Sequence, residues 1–380
     1  MKKKKSNWQI YIGMAVMVLG GALCGFFTAR YMDVNDIAAG ASDKDFVRIA
    51  LEILVVGAAF YAQIILHEAG HLLFGLLTGY KFSSFRVGSV MLVRENGKFR
   101  IAKMRLAGTG GQCLMAPPDM VDGRIPVMLY NFGGSILNLV TAAAFLYLAP
   151  AFEKGSLMSL FCFLSAGIGL VFSLVNGIPM QMGLIDNDGR NAFTLYKDPK
   201  SLKGFWIQLK VSDMQSKGIR LKDMPGEWFE VPSEDAMKNS MLALVGVFAA
   251  NRLMDEHRFE EADTFIKYLL DLDSGIAGIH RNLLRMDRLY CELIHENRPE
   301  EIQKLWTGNL KKFARTMKDF PSVMRTEYVY TLLHSGDEAR AEKIRKRFEK
   351  EMKRYPYPSD VQSERELMEI AEKKYKNTKQ

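Results

Sequence analysis

The chain has 380 residues, 48% of them hydrophobic, with a formal net charge of +8. The basic surplus gathers in the N-terminal lysines, in residues 81 to 105 and in the final stretch. Basic segments beside anionic lipid account for that pattern, so a nucleic-acid partner is excluded as its reading. The four cysteines, Cys24, Cys113, Cys162 and Cys291, form no CxxC pair, which excludes a disulfide framework or a zinc knot.

Apolar residues are concentrated before about residue 180, and the remainder reads as a soluble, helix-rich sequence of mixed charge. Four segments reach the roughly 20 apolar residues that a bilayer crossing takes. They run from Trp8 to Thr28, Val47 to Thr78, Ile125 to Leu148 and Leu157 to Ile178. The first follows MKKKKSN and reads as a retained signal-anchor, since its apolar run exceeds a signal core and no A-x-A site follows. Lysines precede span one, the next loop is acidic, and the loop from Lys81 to Arg124 is basic. That distribution predicts a multi-pass protein of the cell membrane with both termini cytoplasmic.

The second span contains IILHEAGHLLFGLL, where oil would otherwise be expected. On a helix His67 and His71 project from one face, one turn apart. That spacing lets two imidazoles hold one zinc ion at about 2.0 to 2.1 Å. Glu68 lies on the adjacent flank, where it can take a proton from a water polarised by the metal. Ionisable groups at mid-span cost roughly 2.5 to 3.5 kcal/mol each, so a sequence that keeps them uses them.

Residues 80 to 123 are expected to form strands. FRVGSVMLV and KFRIAKM flank an Asn-Gly, a strong hairpin signal. An exposed strand edge near the metal would hold a substrate backbone in extended form.

A third protein ligand is needed. No other histidine falls in this half, since His257, His280, His295 and His334 all lie in the tail. NGIPMQMGLIDNDGR, residues 176 to 190, breaks the fourth span and offers two carboxylates, Asp186 and Asp188. Asp188 precedes Gly189, which permits a tight turn; a plain Asn-Asp-Gly helix cap is the competing reading.

In the tail, HRFEEADTF at 257, ENRPEEIQK at 296 and HSGDEARAE at 334 recur at a spacing of about 38 to 40 residues, which suggests a helical solenoid related to tetratricopeptide repeats. Such stacks present concave surfaces to protein partners.

Taken together, HExxH in one span and Asn-x-x-Pro followed by Asp-Gly at the end of a later one resemble the site-2 family of intramembrane zinc metalloproteases. Span three adds YNFGGSILNLV, whose Gly133, Gly134 and Asn138 are similar to the motif of the family's middle core helix. The resemblance covers roughly residues 50 to 190 and implies a three-helix catalytic core. It implies one Zn2+ held by His67, His71 and Asp188, with Glu68 activating water. It further implies that Asn176, with Asn138, Gly133 and Gly134, serves the substrate, a transmembrane or membrane-bound peptide. The gap from Pro179 to Asp188 is longer than the family pattern.

The expected architecture is thus mainly α, with about four transmembrane helices, a small β-hairpin region between spans two and three, and a solenoid-like cytoplasmic domain. The divisions fall at 1–46 for the anchor and external loop, 47–190 for the protease core, 191–232 for a linker and 233–380 for the helical repeats. The competing function is a membrane adaptor whose tail binds partners while the metal site is structural or idle.

Overall fold

The computed structural model describes residues 43–95, 97–105, 110–182 and 185–379, with a few isolated positions between 15 and 25. The expected first span, Trp8 to Thr28, lies for the most part outside the described residues. The chain forms two compact units, one of Met1–Gly88 with Thr109–Pro199, the other of Ser89–Gly108 with Lys200–Gln380.

Three helices frame the first unit: α1 (Asp43–Leu77), α2 (Val127–Leu148) and α3 (Leu157–Gly177). Phe46–Leu77, Val127–Ala151 and Leu157–Gly177 are long and apolar enough to cross a membrane. They match the second, third and fourth spans expected from sequence. Their burial is inverted relative to a water-soluble bundle. Ile53, Leu54, Leu139, Val140 and Leu146 are exposed, whereas Gln63, His67, Glu68, His71, Asn138 and Ser165 are buried. In hydrocarbon that inversion is the stable arrangement, because only the bundle interior can satisfy polar groups. Small residues bring the helices close enough for this. A Cβ on Gly133 of α2 would lie 2.5 Å from the Gly70 carbonyl oxygen of α1, so neither position admits a side chain.

Strands β1 (Lys81–Val87) and β4 (Gly111–Ala116) pair antiparallel in this unit, from Lys81↔Ala116 to Val87↔Gly111. β4 runs along α1. Gly110 lies near Ile64, Gly111 against Glu68, and Met115 beside Gly75. Tyr130 of α2 ties the strand down, its hydroxyl donating to the Cys113 carbonyl at 3.0 Å.

The second unit contains the hairpin of β2 (Val90–Glu95) and β3 (Lys98–Lys103), with Glu95 opposite Lys98 and Gly97 at φ 81° in the turn. The Asn-Gly signal therefore marks a hairpin as expected, although Asn96 itself lies outside the described residues. Its alternating pattern buries Met91, Val93, Ala102 and Met104 in one cluster with Met254, Leu289, Tyr290 and Phe348. Backbone bonding reinforces this, Lys103 N donating to the Arg354 carbonyl at 2.7 Å. The hairpin thus belongs to the helical unit's core, an allegiance that the sequence reading did not foresee.

Residues 191–232, expected as a linker, are folded. They include most of α4 (Asp188–Lys197), α5 (Pro199–Ser216) and two 3-10 turns. Ile207, Val211, Leu221, Trp228 and Phe229 form a buried cluster with Val245 and Ala249. Eight further helices follow: α6 (Ser240–Asp255), α7 (Phe259–Asp271), α8 (Gly278–Ile294), α9 (Pro299–Leu305), α10 (Gly308–Thr316), α11 (Pro321–Val329), α12 (Glu338–Met352) and α13 (Pro358–Lys379). The turns that precede α7, α9 and α12 each hold one residue of positive φ: His257, Asn297 and Gly336. These left-handed positions fall where the sequence placed its three recurring segments, each in the turn before a helix.

Candidate metal centre

His67 and His71 lie in the last third of α1, on the face turned toward α2 and α4. Each ring is aimed by a bond at Nδ1. His71 Nδ1 stands 2.8 Å from the Tyr130 backbone carbonyl, which can only accept. That nitrogen therefore carries the hydrogen, and Nε2 keeps its lone pair. His67 Nδ1 is 2.6 Å from Asn138 Oδ1, the same arrangement made by a side chain. Space for the His67 ring depends on Gly134, where a Cβ would come within 2.5 Å of the imidazole Cε1.

The carboxylate arrives from a separate element. After α3 ends, Gln181–Met182 (β5) pairs with Ile185–Asp186 (β6) in a short hairpin. This hairpin takes up the extra residues between Pro179 and Asp188. Asn187 then clamps the turn. Its Nδ2 donates to the Val175 and Ile178 carbonyls at 2.7 and 2.6 Å, while Oδ1 accepts from Met180 N and Arg190 N. Asn187 is thus both the N-cap of α4 and the staple to α3. The sequence reading offered an Asn-Asp-Gly helix cap as the alternative to a metal ligand; the structure shows Asn187 capping α4 while Asp188 faces the histidines. Gly189 makes the close approach possible, since a Cβ there would lie 2.1 Å from the Gly177 carbonyl oxygen.

Asp188 Oδ2 consequently stands 3.0 Å from His67 Nε2 and 3.4 Å from His71 Nε2, and the two Nε2 atoms are 3.3 Å apart. Asp186 turns to Arg190 instead, at 3.0 Å. Ligand atoms of a tetrahedral zinc at about 2.0 to 2.2 Å are separated by roughly 3.3 to 3.5 Å. The trio matches that edge length to within a few tenths of an ångström. Its chemistry fits as well: with both Nδ1 hydrogens directed outward, three lone-pair-bearing atoms converge on one point, and a cation satisfies all of them.

Glu68 is buried on the neighbouring flank, beside the start of β4; a Cβ on Gly111 would come 2.7 Å from its Oε1. Gly133 sits at the α1–α2 crossing and Gly134 under His67, while Asn138 stands behind His67. Asn176 is on the last turn of α3, its Nδ2 donating to the Phe172 carbonyl at 3.0 Å. The structure therefore brings His67, His71 and Asp188 together, with Asn138 bonded to His67 and Glu68 on the flank beside β4, while the Asn176 amide bonds within its own helix.

Among known proteins, the sequence matches Peptidase family M50 over residues 55–353. No curated protein and no solved structure matches the chain. The match covers the three apolar helices, the convergent His67, His71 and Asp188, and most of the helical unit, and on that extent the chain belongs to Peptidase family M50, the site-2 protease family of membrane proteases.

Proposed function

We propose that the protein is a zinc-dependent intramembrane endopeptidase that cuts transmembrane or membrane-bound peptides near the cytoplasmic leaflet. The single observation that carries this reading is the convergence of His67 Nε2, His71 Nε2 and Asp188 Oδ2, all within 4.8 Å of one another. His67, His71 and Asp188 would hold the zinc, which supplies Lewis acidity and lowers the pKa of a water molecule to about 7.

The remaining roles fall to the chain itself. Glu68 accepts the proton from the attacking water and returns it to the leaving amine, a contribution of roughly 10²- to 10⁴-fold. β4 pairs with β1 along one edge, and its start lies beside Glu68. Its second edge would receive the substrate as an added strand, freeing the scissile amide from helical hydrogen bonds. Asn176, at the end of α3, would donate to the substrate backbone through the Nδ2 hydrogen that the Phe172 carbonyl does not take. Asn138 and the glycines Gly133 and Gly134 set the spacing on which those contacts depend. The loop charges favour both termini in the cytoplasm. The helical unit would then be a surface for a protein partner. It carries a cleft of about 940 Å³ lined by Phe229, Val231, Arg252, Glu261, Phe265 and Tyr268.

Glu68→Gln tests the reading. The variant is expected to keep one zinc per chain while cleavage of a membrane-embedded reporter falls by at least 10²-fold. Undiminished cleavage by that variant would overturn the proposal.

A further inference from the structure

We infer that Gln63 is a positioning residue of the metal centre, acting on His67 through Asn138. The inference rests on the metal reading above and adds to it a residue one turn before the HExxH motif. The basis is a hydrogen-bonded relay that crosses all three apolar helices.

Its direction is set at the far end. Gln63 Nε2 lies 2.9 Å from the Ser165 backbone carbonyl of α3, an atom that only accepts, so the amide nitrogen must face it. Gln63 Oε1 is thereby turned toward α2, where it accepts from Asn138 Nδ2 at 2.7 Å. The second Nδ2 hydrogen goes to the Gln63 backbone carbonyl at 3.0 Å. With both of its N–H groups used, Asn138 presents Oδ1 to His67 Nδ1 at 2.6 Å. The hydrogen is thus fixed on Nδ1, and the Nε2 lone pair faces Asp188 and His71.

Burial makes this relay consequential. Gln63 and Asn138 are both 0% exposed, so an amide turned the wrong way would leave a donor facing a donor with no water to mediate. α3 is shaped around it: a Cβ on Gly169 would meet Gln63 Oε1 at 2.9 Å. His71 needs no such relay, because the Tyr130 carbonyl orients it directly. The two metal-facing imidazoles are therefore held by different means: a backbone carbonyl orients His71, while the Asn138 side chain, held in turn by Gln63, orients His67.

The test is a double-mutant cycle on zinc affinity, measured on the full-length protein in detergent by competition with a chromogenic chelator. Gln63→Leu, close in volume, is expected to weaken zinc binding about tenfold, the lower range for loss of a group behind a ligand. In an Asn138→Ala background no side chain links Gln63 to His67. There, Gln63→Leu should cost less than about threefold. Equal losses in both backgrounds would assign Gln63 to helix packing and overturn the inference; so would no loss in either. If the double variant does not fold, the visible absorption of cobalt(II) in Gln63→Leu decides. A spectrum displaced from the parent's supports positioning, and an identical one refutes it. Parent protein that fails to take up stoichiometric zinc would overturn the metal reading itself, and the inference with it.

Discussion

Both units bury charged and strongly polar side chains, yet they balance them in opposite ways. In the helical unit the buried Asp213, Asp255 and Asp287 each meet a resident cation. Arg325, 1% exposed, bonds Glu364 Oε2 at 2.7 Å and Asp287, and its guanidinium stacks over the Tyr290 ring at 4.4 Å. Arg220 likewise joins Asp255 at 2.6 Å and Glu366. In the membrane unit His67, His71 and Asp188 gather three acceptors while the imidazole donors point away. A closed set of ion pairs holds a fold together; a set that is complete only with an added cation is a binding site.

The sharpest way to break this contrast is Arg325→Met. Removing one member of a buried ion network leaves Asp287 and Glu364 without their counter-charge, and about 3 to 5 kcal/mol of stability should be lost. Zinc content of the surviving folded protein should stay at one per chain. A variant as stable as the parent on denaturant titration would mean that the network is not the balanced element described here.

Gly134→Ala acts in the other unit. Its Cβ would press on the His67 ring, so overpacking of about 1 to 3 kcal/mol is expected, felt as weaker zinc binding. Normal zinc affinity in this variant would show that the α2 backbone does not confine the imidazole.

The smallest effect is expected at Asp360, in the first turn of α13. Burial, together with the Glu364 and Asp255 carboxylates, pushes its carboxyl up to about 7, while Gln215 donates to it. An acid whose folded pKa lies above its unfolded value of about 3.9 favours the folded state most when protonated. That contribution is complete below about pH 4 and is lost as pH rises toward 7. Its place at a helix N-terminus offsets part of the penalty. Asp360→Asn, which keeps an acceptor for Gln215, should therefore raise the unfolding midpoint at pH 8 by roughly 2 to 4 °C and flatten its slope between pH 4 and 7. A parallel pH profile in the variant would place the titration elsewhere.

How far the sequence spoke for itself differs between the units for a physical reason. A bilayer crossing and a pair of histidines able to hold a metal both write themselves locally, as a 20-residue apolar run and as two histidines four apart. Asp188 was legible through its glycine, because close approach to α3 leaves no room for a side chain at 189. The Gln63 relay was not, since a lone glutamine in an apolar run gives no hint of which carbonyl it meets on another helix. The Asn-Gly between two β-prone runs announced a hairpin, but not that Met91 and Met104 would join a core built two hundred residues later. Residues 191–232 read as a linker because Pro and Gly interrupt the helical period, while Leu221 and Trp228 still find a cluster to fill. Non-local packing has no short-range signature.

Metal content by elemental analysis, on purified parent protein and on Asp186→Asn and Asp188→Asn, goes most directly to the centre of this picture. One zinc per chain is predicted for the parent and for Asp186→Asn, with the metal lost from Asp188→Asn at a chelator concentration that the other two survive. A parent without zinc, or an Asp188→Asn protein that keeps it as firmly, would contradict the convergence of two imidazoles and one carboxylate on a shared ion.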